Sequence, residues 1–255
     1  MTRLDRRFLG APLAHRALHD VSDGRPENSR AAILAAIRHG YGLEIDLQMS
    51  RDGQAMVFHD YALDRLTPER GAVRQHTAAE LASIPLTGGD EGIPTFAEVL
   101  KLVAGRVPLL VEIKDQDGAM GDNVGLLEKA AARDADGYAG PLAYMSFNPH
   151  SVLKMLEYAP DVPRGLVTDS YSADDWPLLP ATTRDHLREI PDLGRTLASF
   201  VSHQASDLES RHVAKVKAAG LPVLCWTIRS PRDEQIAREV ADNVTFEGYL
   251  SKIPA

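Results

Sequence analysis

The sequence contains a single cysteine, Cys225, among its 255 residues. One cysteine excludes a disulfide framework within the chain. Because Cys225 lies inside the apolar run 221–228, we interpret it as a small buried side chain rather than as a nucleophile. Aromatic residues are also scarce, at 6% of the chain, and they give no indication of an apolar rim that would bind a lipid.

Long hydrophobic runs and basic stretches are missing as well. No run of about 18 apolar residues occurs, which argues against a membrane-spanning helix. The N-terminal stretch MTRLDRRFLGAP lacks the apolar segment of a signal peptide, so we expect a cytoplasmic protein without stable membrane association. The net charge is -8 and no basic stripe is present, which argues against a nucleic-acid partner.

Short apolar segments alternate with helical patterns along most of the chain. A hydrophobic content of 44% supports a sizeable core, and the length suits a single α/β barrel. The predicted strands begin at residues 11, 42, 109, 142, 164, 198, 222 and 243. This pattern predicts an α/β fold, a (β/α)8 TIM barrel that residues 1–255 form as one domain. A doubly wound open sheet is the alternative, but no Gly-x-Gly-x-x-Gly motif follows the first strand and no P-loop occurs.

The segment 60–93 interrupts this alternation. It is rich in proline and glycine and contains one short helical pattern near residues 77–83. We therefore predict a small insertion after strand two, which would act as a cap over one side of the barrel mouth. Within it, Tyr61, Leu63 and Leu66 either face the substrate or bury the insertion itself.

The stretch 42–60 carries two acids and a histidine that are predicted to converge. Glu44 and Asp46 alternate with apolar residues, so both side chains lie on the same face of a strand. Asp52-Gly53 predicts a tight turn, after which a short second strand brings His59 back toward the first. The alternative is a solvated face of an edge strand, since charged residues are mostly exposed. In a barrel, however, functional residues lie at the C-terminal ends of strands, where these acids are predicted.

A series of short motifs follows a characteristic order along the chain. They are His15-Arg16, Pro26-Glu27-Asn28-Ser29, Glu44-Ile45-Asp46, Asp52-Gly53, Val57-Phe58-His59-Asp60, Leu63-Asp64-Arg65-Leu66-Thr67, Ile93-Pro94-Thr95-Phe96 and Glu112-Ile113-Lys114. In order and spacing these motifs resemble the glycerophosphodiester phosphodiesterase family. The resemblance implies a barrel with a small insertion after strand two. It also implies a divalent metal held by Glu44, Asp46 and Glu112, with His15 and His59 as the acid-base pair.

Two positions depart from the family pattern. Ala17 stands where a glycine usually follows His-Arg, and the loop 17–25 is longer than in compact members. Near the C-terminus, Phe246-Glu247 occupies the place of a threonine-aspartate pair, so no role is assigned to Glu247.

The chemistry of these residue types agrees with a metal site. Three carboxylates in one cavity repel one another by roughly 4 kcal/mol per pair at about 4 Å and an effective dielectric near 20, and a dication removes this penalty. Oxygen ligands suit a hard ion, either Mg²⁺ or Ca²⁺. If Arg16 and Lys114 also point inward, the formal charges sum with the metal to about +1, which attracts a phosphodiester monoanion.

The predicted function is the hydrolysis of small glycerophosphodiesters, such as glycerophosphocholine and glycerophosphoethanolamine, to glycerol 3-phosphate and an alcohol. One histidine would deprotonate the nucleophile and the other would protonate the leaving alkoxide, and the residues fit either assignment. The nucleophile is a neighbouring glycerol hydroxyl, which gives a cyclic phosphate, or an activated water. The alternatives are a phospholipase D-like activity on lysophospholipids or sphingolipids and a non-catalytic binding barrel. No oligomeric state is predicted.

Three further residues are candidates for the barrel mouth. Trp226, at the end of strand seven, either lines the substrate pocket or packs in the core. His203 follows strand six and is predicted to be a solvated loop histidine. His19 lies four residues after His15, but in a loop, so the helical metal spacing of His-Glu-x-x-His does not apply.

Overall fold

The protein, described here from a computed structural model over residues 2–254, is a closed barrel of parallel strands surrounded by helices. The strands are β1 (Leu13–Ala14), β2 (Gly42–Met49), β3 (Ala55–Val57), β4 (Leu109–Ile113), β5 (Leu142–Ser146), β6 (Arg164–Thr168), β7 (Phe200–Gln204), β8 (Val223–Ile228) and β9 (Asn243–Phe246). All except β3 pair in parallel, and β1 pairs with both β2 and β9. These pairings close the sheet and confirm the predicted TIM barrel.

Helices connect the strands on the outside of the barrel. They are α1 (Arg30–His39), α2 (Ala78–Ser83), α3 (Phe96–Val103), α4 (Leu126–Asp134), α5 (Pro149–Tyr158), α6 (Ala181–Arg188), α7 (Leu193–Thr196), α8 (Arg211–Ala218) and α9 (Pro231–Ala237). Ser29 caps the start of α1 by accepting a hydrogen bond from the amide of Ala32. In the part of the chain that the structure describes, no helix is both long and apolar enough to cross a membrane.

The two faces of each strand build two different environments. On β2, Ile45 belongs to the large apolar cluster between the strands and the helices. Because side chains alternate along a strand, Glu44 and Asp46 point the other way, into the barrel. The barrel interior is closed at the opposite end by Phe8, and the side-chain amide of Asn243 donates to the carbonyl oxygens of Phe8 and Ala11. The acids are therefore confined to one end of the barrel, the mouth.

The segment after β2 returns antiparallel to it and leads into the predicted insertion. Gly53, in the turn, has a φ of 75°, a conformation that glycine adopts without a steric penalty. Residues 60–93 form most of a small apolar cluster, to which Leu63 and Leu81 contribute and which also includes Met56 and Phe58. Leu63 therefore stabilises the insertion, whereas Tyr61 is 56% exposed.

Two strand starts differ by two residues from the sequence-based expectation, and β8 begins one residue later than predicted. β1 contains only Leu13 and Ala14 instead of a segment from residue 11 to His15. β7 begins at Phe200 rather than at residue 198, and it continues to Gln204. The shift of β7 places His203 within a strand rather than in a loop.

Candidate active site

Three buried carboxylates meet at the mouth of the barrel. Asp46 on β2 is in register with Glu112 on β4. Glu44 lies two residues before Asp46, on the same face of β2. One oxygen from each carboxylate lies within 4.8 Å of an oxygen from each of the others. The structure thus brings together the three predicted metal ligands on adjacent strands.

The carboxylates differ strongly in their preference for a proton. Burial, together with the negative charges of Asp46 and Glu112, raises the pKa of Glu44 well above its ordinary value. Burial opposes ionisation of Asp46 as well, but the charges of Lys114, His59 and Arg16 outweigh it and hold the pKa of Asp46 far below its usual range. Burial and the repulsion between the three acids therefore raise the pKa of Glu44, while Asp46 stays ionised.

Lys114 lies between two of these acids. Its Nζ is 2.7 Å from an oxygen of Asp46 and 2.7 Å from an oxygen of Glu112. Burial alone would lower the pKa of Lys114, but the two carboxylates raise it above its ordinary value. The side-chain amide of Asn28 donates to the second oxygen of Asp46 at 2.9 Å. Lys114 is consequently charged and held at the floor of the site.

Arg16 approaches the same acids through an unusual backbone conformation. Arg16 and Ala17 have φ values of 51° and 66°, and the amide of Arg16 donates to Glu44 at 2.9 Å. The positive φ explains why glycine suits position 17, because a side chain there costs about 1 kcal/mol or more. The guanidinium donates to Glu27, while its buried Nε has no hydrogen-bond partner and lies 3.8 Å from Asp46.

His59 is held by a hydrogen-bonded chain of acids and arginines. Its Nδ1 lies 2.6 Å from a carboxylate oxygen of Asp60, and Arg65 donates to both Asp60 and Glu27. Since Glu27 also accepts from Arg16, the network links the His59 loop to the Arg16 loop. Asp60 and Glu27 are thus positioning residues for two of the predicted site residues.

His15 has its own carboxylate partner, Glu247. The Nδ1 atom of His15 lies 2.5 Å from Oε2 of Glu247, whose other oxygen is 2.8 Å from Arg229. Burial lowers the pKa of His15, although Glu247 acts in the opposite direction. The sequence pattern predicts neither this contact nor a role for Glu247. The available signal was its position directly after β9, at the C-terminal end of a barrel strand.

A cavity of about 170 Å³ joins these groups. The predicted site residues that line it are His15, Arg16, Glu44, His59, Glu112, Lys114 and Trp226. Asp46 lies beneath it, and Trp226 contributes to its wall, with its ring edge-on to Phe147 at 5.5 Å between centroids. The structure therefore places Trp226 at the pocket rather than only in the core.

The prediction of a solvated His203 is wrong. His203 is 1% exposed, its Nδ1 is 2.7 Å from the hydroxyl of Thr168, and its Nε2 is 3.0 Å from Asp207. The physical reason is the extension of β7 to Gln204, which puts His203 against the neighbouring strand β6. His203 does not line the cavity at the mouth.

Comparison with known proteins assigns the chain to a family. Residues 15–244 match the model of the glycerophosphoryl diester phosphodiesterase family. The chain belongs to this family. As a member it is an enzyme of the glycerophosphodiester phosphodiesterase class, which contradicts the alternative of a non-catalytic barrel.

Individual relatives agree with this assignment. A glycerophosphodiester phosphodiesterase of Caldanaerobacter subterraneus is 30% identical over 172 residues, which cover 64% of this chain and 69% of the relative. The structure of an Oleispira antarctica phosphodiesterase in complex with its product sn-glycerol-3-phosphate shares the fold with a TM-score of 0.76, at 24% identity and with 94% and 93% of the two chains covered. The family enzyme from Thermotoga maritima aligns with a TM-score of 0.68 at 20% identity, covering 92% and 94%.

Proposed function

We propose that this family member hydrolyses water-soluble glycerophosphodiesters, such as glycerophosphocholine and glycerophosphoethanolamine, to glycerol 3-phosphate and an alcohol. One observation carries the proposal: three clustered carboxylates, two cationic side chains and two carboxylate-paired histidines surround a single small cavity. The cavity suits a compact polar group such as a phosphodiester with its glycerol. The complex of the Oleispira antarctica relative with sn-glycerol-3-phosphate supports a substrate of this size.

Glu44, Asp46 and Glu112 would hold one divalent ion, Mg²⁺ or Ca²⁺. Their oxygens provide the donor set that hard ions prefer. Burial raises the pKa of Glu44, and the negative charges of Asp46 and Glu112 raise it further, a repulsion that a bound cation would relieve. When bound, the ion supplies a Lewis acid for a nonbridging phosphoryl oxygen.

Arg16 and Lys114 would hold the phosphate and the charge that develops on it. Arg16 lines the cavity, and its Nε has no hydrogen-bond partner, so the guanidinium retains donor capacity for a phosphate oxygen. The ammonium group of Lys114 has three donors, of which the contacts to Asp46 and Glu112 occupy two. Donors fixed in place before the reaction stabilise developing negative charge more effectively than mobile water does.

His15 and His59 would exchange protons with the substrate. In each ring Nδ1 is engaged by a carboxylate, Glu247 or Asp60, which leaves Nε2 for the reacting groups. The carboxylate also stabilises the ring once it has accepted a proton. One histidine would take a proton from the nucleophile while the other donates one to the leaving alkoxide, and the geometry serves both a glycerol hydroxyl and a water as nucleophile.

Glu247→Gln tests whether the carboxylate positions His15. The amide keeps the size of the side chain but removes the negative charge that fixes the ring, so we expect kcat to fall by about 10-fold or more with a smaller change in KM. Glu247→Asp should recover part of the loss. An unchanged kcat in Glu247→Gln, measured by glycerol 3-phosphate release, would show that the contact has no part in catalysis.

A second candidate substrate class is a single-chain phospholipid such as lysophosphatidylcholine. It is favoured by an apolar groove of about 530 Å³ whose lining includes Tyr61, Met120, Trp176 and Leu178. Leu178 is 90% exposed, and Trp176 packs on Phe147 of the catalytic cavity at 5.1 Å between ring centroids. The groove therefore lies beside the cavity, where an acyl chain could extend from a bound phosphodiester.

Parallel assays on glycerophosphocholine, glycerophosphoethanolamine and lysophosphatidylcholine distinguish the two classes. We expect the water-soluble diesters to be cleaved faster, because the catalytic cavity is small and polar. Faster choline release from the lyso-lipid would instead make the second candidate the main activity.

Leu178→Ser tests whether the groove binds a chain at all. Burying a leucine contributes up to roughly 1.5–3 kcal/mol, so loss of this contact should lower kcat/KM on the lyso-lipid by about 5-fold or more if an acyl chain lies there. Turnover of glycerophosphocholine should not change. The control is Leu126→Ser on α4, which is also exposed, at 66%, and does not line the groove.

A further inference from the structure

A second cluster of metal-ligating atoms lies behind His15. It consists of His15, His19 and Glu247, whose ligand atoms all lie within 4.8 Å of one another. Oε2 of Glu247 is 2.5 Å from Nδ1 of His15 and 3.6 Å from Nε2 of His19. Two imidazoles and one carboxylate differ chemically from the all-carboxylate set at the floor of the cavity.

His19 supplies an independent indication of a ligand. Its Nε2 is buried and has no hydrogen-bond partner, since 3.6 Å to Glu247 is too long for a hydrogen bond. A buried polar atom without a partner is unfavourable, and a bound ion would satisfy it. A separate cavity of about 410 Å³, lined by His19, Asp20 and Glu247 but not by His15, offers access from the side away from the catalytic cavity.

We propose that Nδ1 of His15, Nε2 of His19 and Oε2 of Glu247 bind a transition-metal dication such as Zn²⁺, and that this ion inhibits the phosphodiesterase. Two histidines and one glutamate form a common zinc ligand set, with water in the fourth position. Arg229 contacts the other oxygen of Glu247, so Oε2 stays available. Imidazole nitrogen favours Zn²⁺ over Mg²⁺ and Ca²⁺, so the two sites select different ions.

Inhibition follows from the role proposed for His15, and this part of the inference rests on the proposed function. A metal on Nδ1 takes the place of the proton that this nitrogen shares with Glu247. In a neutral ring that proton moves through solvent to Nε2, and in a protonated ring it is released to solvent while Nε2 keeps its own. In both cases the metal-bound ring holds one proton, on Nε2. Such a ring cannot accept a proton as a base, and donating its proton would leave an unfavourable imidazolate. His15 is therefore inactive in either role.

Cobalt binding tests the site without reference to activity. Co²⁺ is titrated into the full-length protein saturated with Ca²⁺, and the visible absorption of the bound ion is followed in wild type, His19→Ala and His150→Ala. We expect His19→Ala to weaken binding by about 10-fold or more, since loss of even an outer-shell partner costs about 10- to 100-fold in affinity. His150 makes no side-chain hydrogen bond within the described residues, and its replacement should leave binding unchanged.

Zinc inhibition is then measured on the same three proteins. In zinc-free buffer all three should release glycerol 3-phosphate equally, and added Zn²⁺ should inhibit wild type and His150→Ala but not His19→Ala. Equal Co²⁺ affinity in wild type and His19→Ala would overturn the site, and tight binding without inhibition would overturn the inhibitory role. Absence of turnover in zinc-free buffer would instead contradict the proposed function, and the cobalt spectra would still decide whether the metal site exists.

Discussion

Treatment with EDTA is expected to abolish phosphodiester hydrolysis, and addition of Mg²⁺ or Ca²⁺ is expected to restore it. The reason is the gathering of Glu44, Asp46 and Glu112 around one point at the mouth of the barrel. Without a dication, Lys114 and Arg16 supply two positive charges against the three carboxylates. Such a site neither attracts a phosphodiester anion nor neutralises the charge that develops on it.

The measurement is the release of choline from glycerophosphocholine before and after chelation. The ion should also raise the free energy of unfolding, by about 2.7 kcal/mol when its concentration is about 100 times its Kd, and so increase the melting temperature. The control is Glu239→Gln, an exposed acid on another part of the surface, which should respond to EDTA as wild type does. Full turnover in EDTA would refute the metal dependence.

His15→Ala and His59→Ala are each expected to reduce kcat by about 10²- to 10⁴-fold, which corresponds to roughly 3–5.5 kcal/mol in the activation barrier. Both rings line the catalytic cavity, and both have a carboxylate on Nδ1. Each ring can therefore exchange a proton with the substrate through Nε2. Neither alanine leaves a large buried group without a partner, because Glu247 keeps Arg229 and Asp60 keeps Arg65.

The choice of control for the histidine variants depends on the structure. His203 is unsuitable, because its ring bridges Thr168 and Asp207 and its removal would leave a buried hydroxyl without its partner. His150→Ala is the better control and should retain normal turnover. Thermal melting of all variants separates loss of catalysis from loss of folding. If His15→Ala or His59→Ala keeps a near-normal kcat, the replaced histidine has a structural role and not a catalytic one.

The barrel and the position of the acids can be predicted from the sequence because both depend on residues that are close together in the chain. Strand and helix periodicities are properties of neighbouring residues, so the alternation of elements is visible without tertiary information. The acids on β2 and the turn at Asp52-Gly53 also belong to one short segment. Its antiparallel return brings the amide of Phe58, directly before His59, to the carbonyl oxygen of Asp46. Local pattern therefore accounts for this part of the candidate site.

Contacts between distant parts of the chain could not be predicted in the same way. The pair His15 and Glu247 forms only because β1 and β9 meet when the barrel closes. The burial of His203 depends on where β7 ends, and strand boundaries are the weakest part of a pattern-based prediction. The apolar groove likewise combines Tyr61 of the insertion with Leu178 of a distant loop, although overall aromatic content is low.

The most direct test of the account compares glycerol 3-phosphate release by wild type, Glu44→Gln and Glu239→Gln in the same metal-containing buffer. Glu44→Gln resembles the protonated carboxyl that the raised pKa of Glu44 favours, so the variant should fold while lacking one metal ligand. We predict rapid release of glycerol 3-phosphate from glycerophosphocholine by wild type and Glu239→Gln, and a loss of turnover of about 100-fold or more in Glu44→Gln. Equal turnover by Glu44→Gln, or no release by wild type from any glycerophosphodiester, would contradict it.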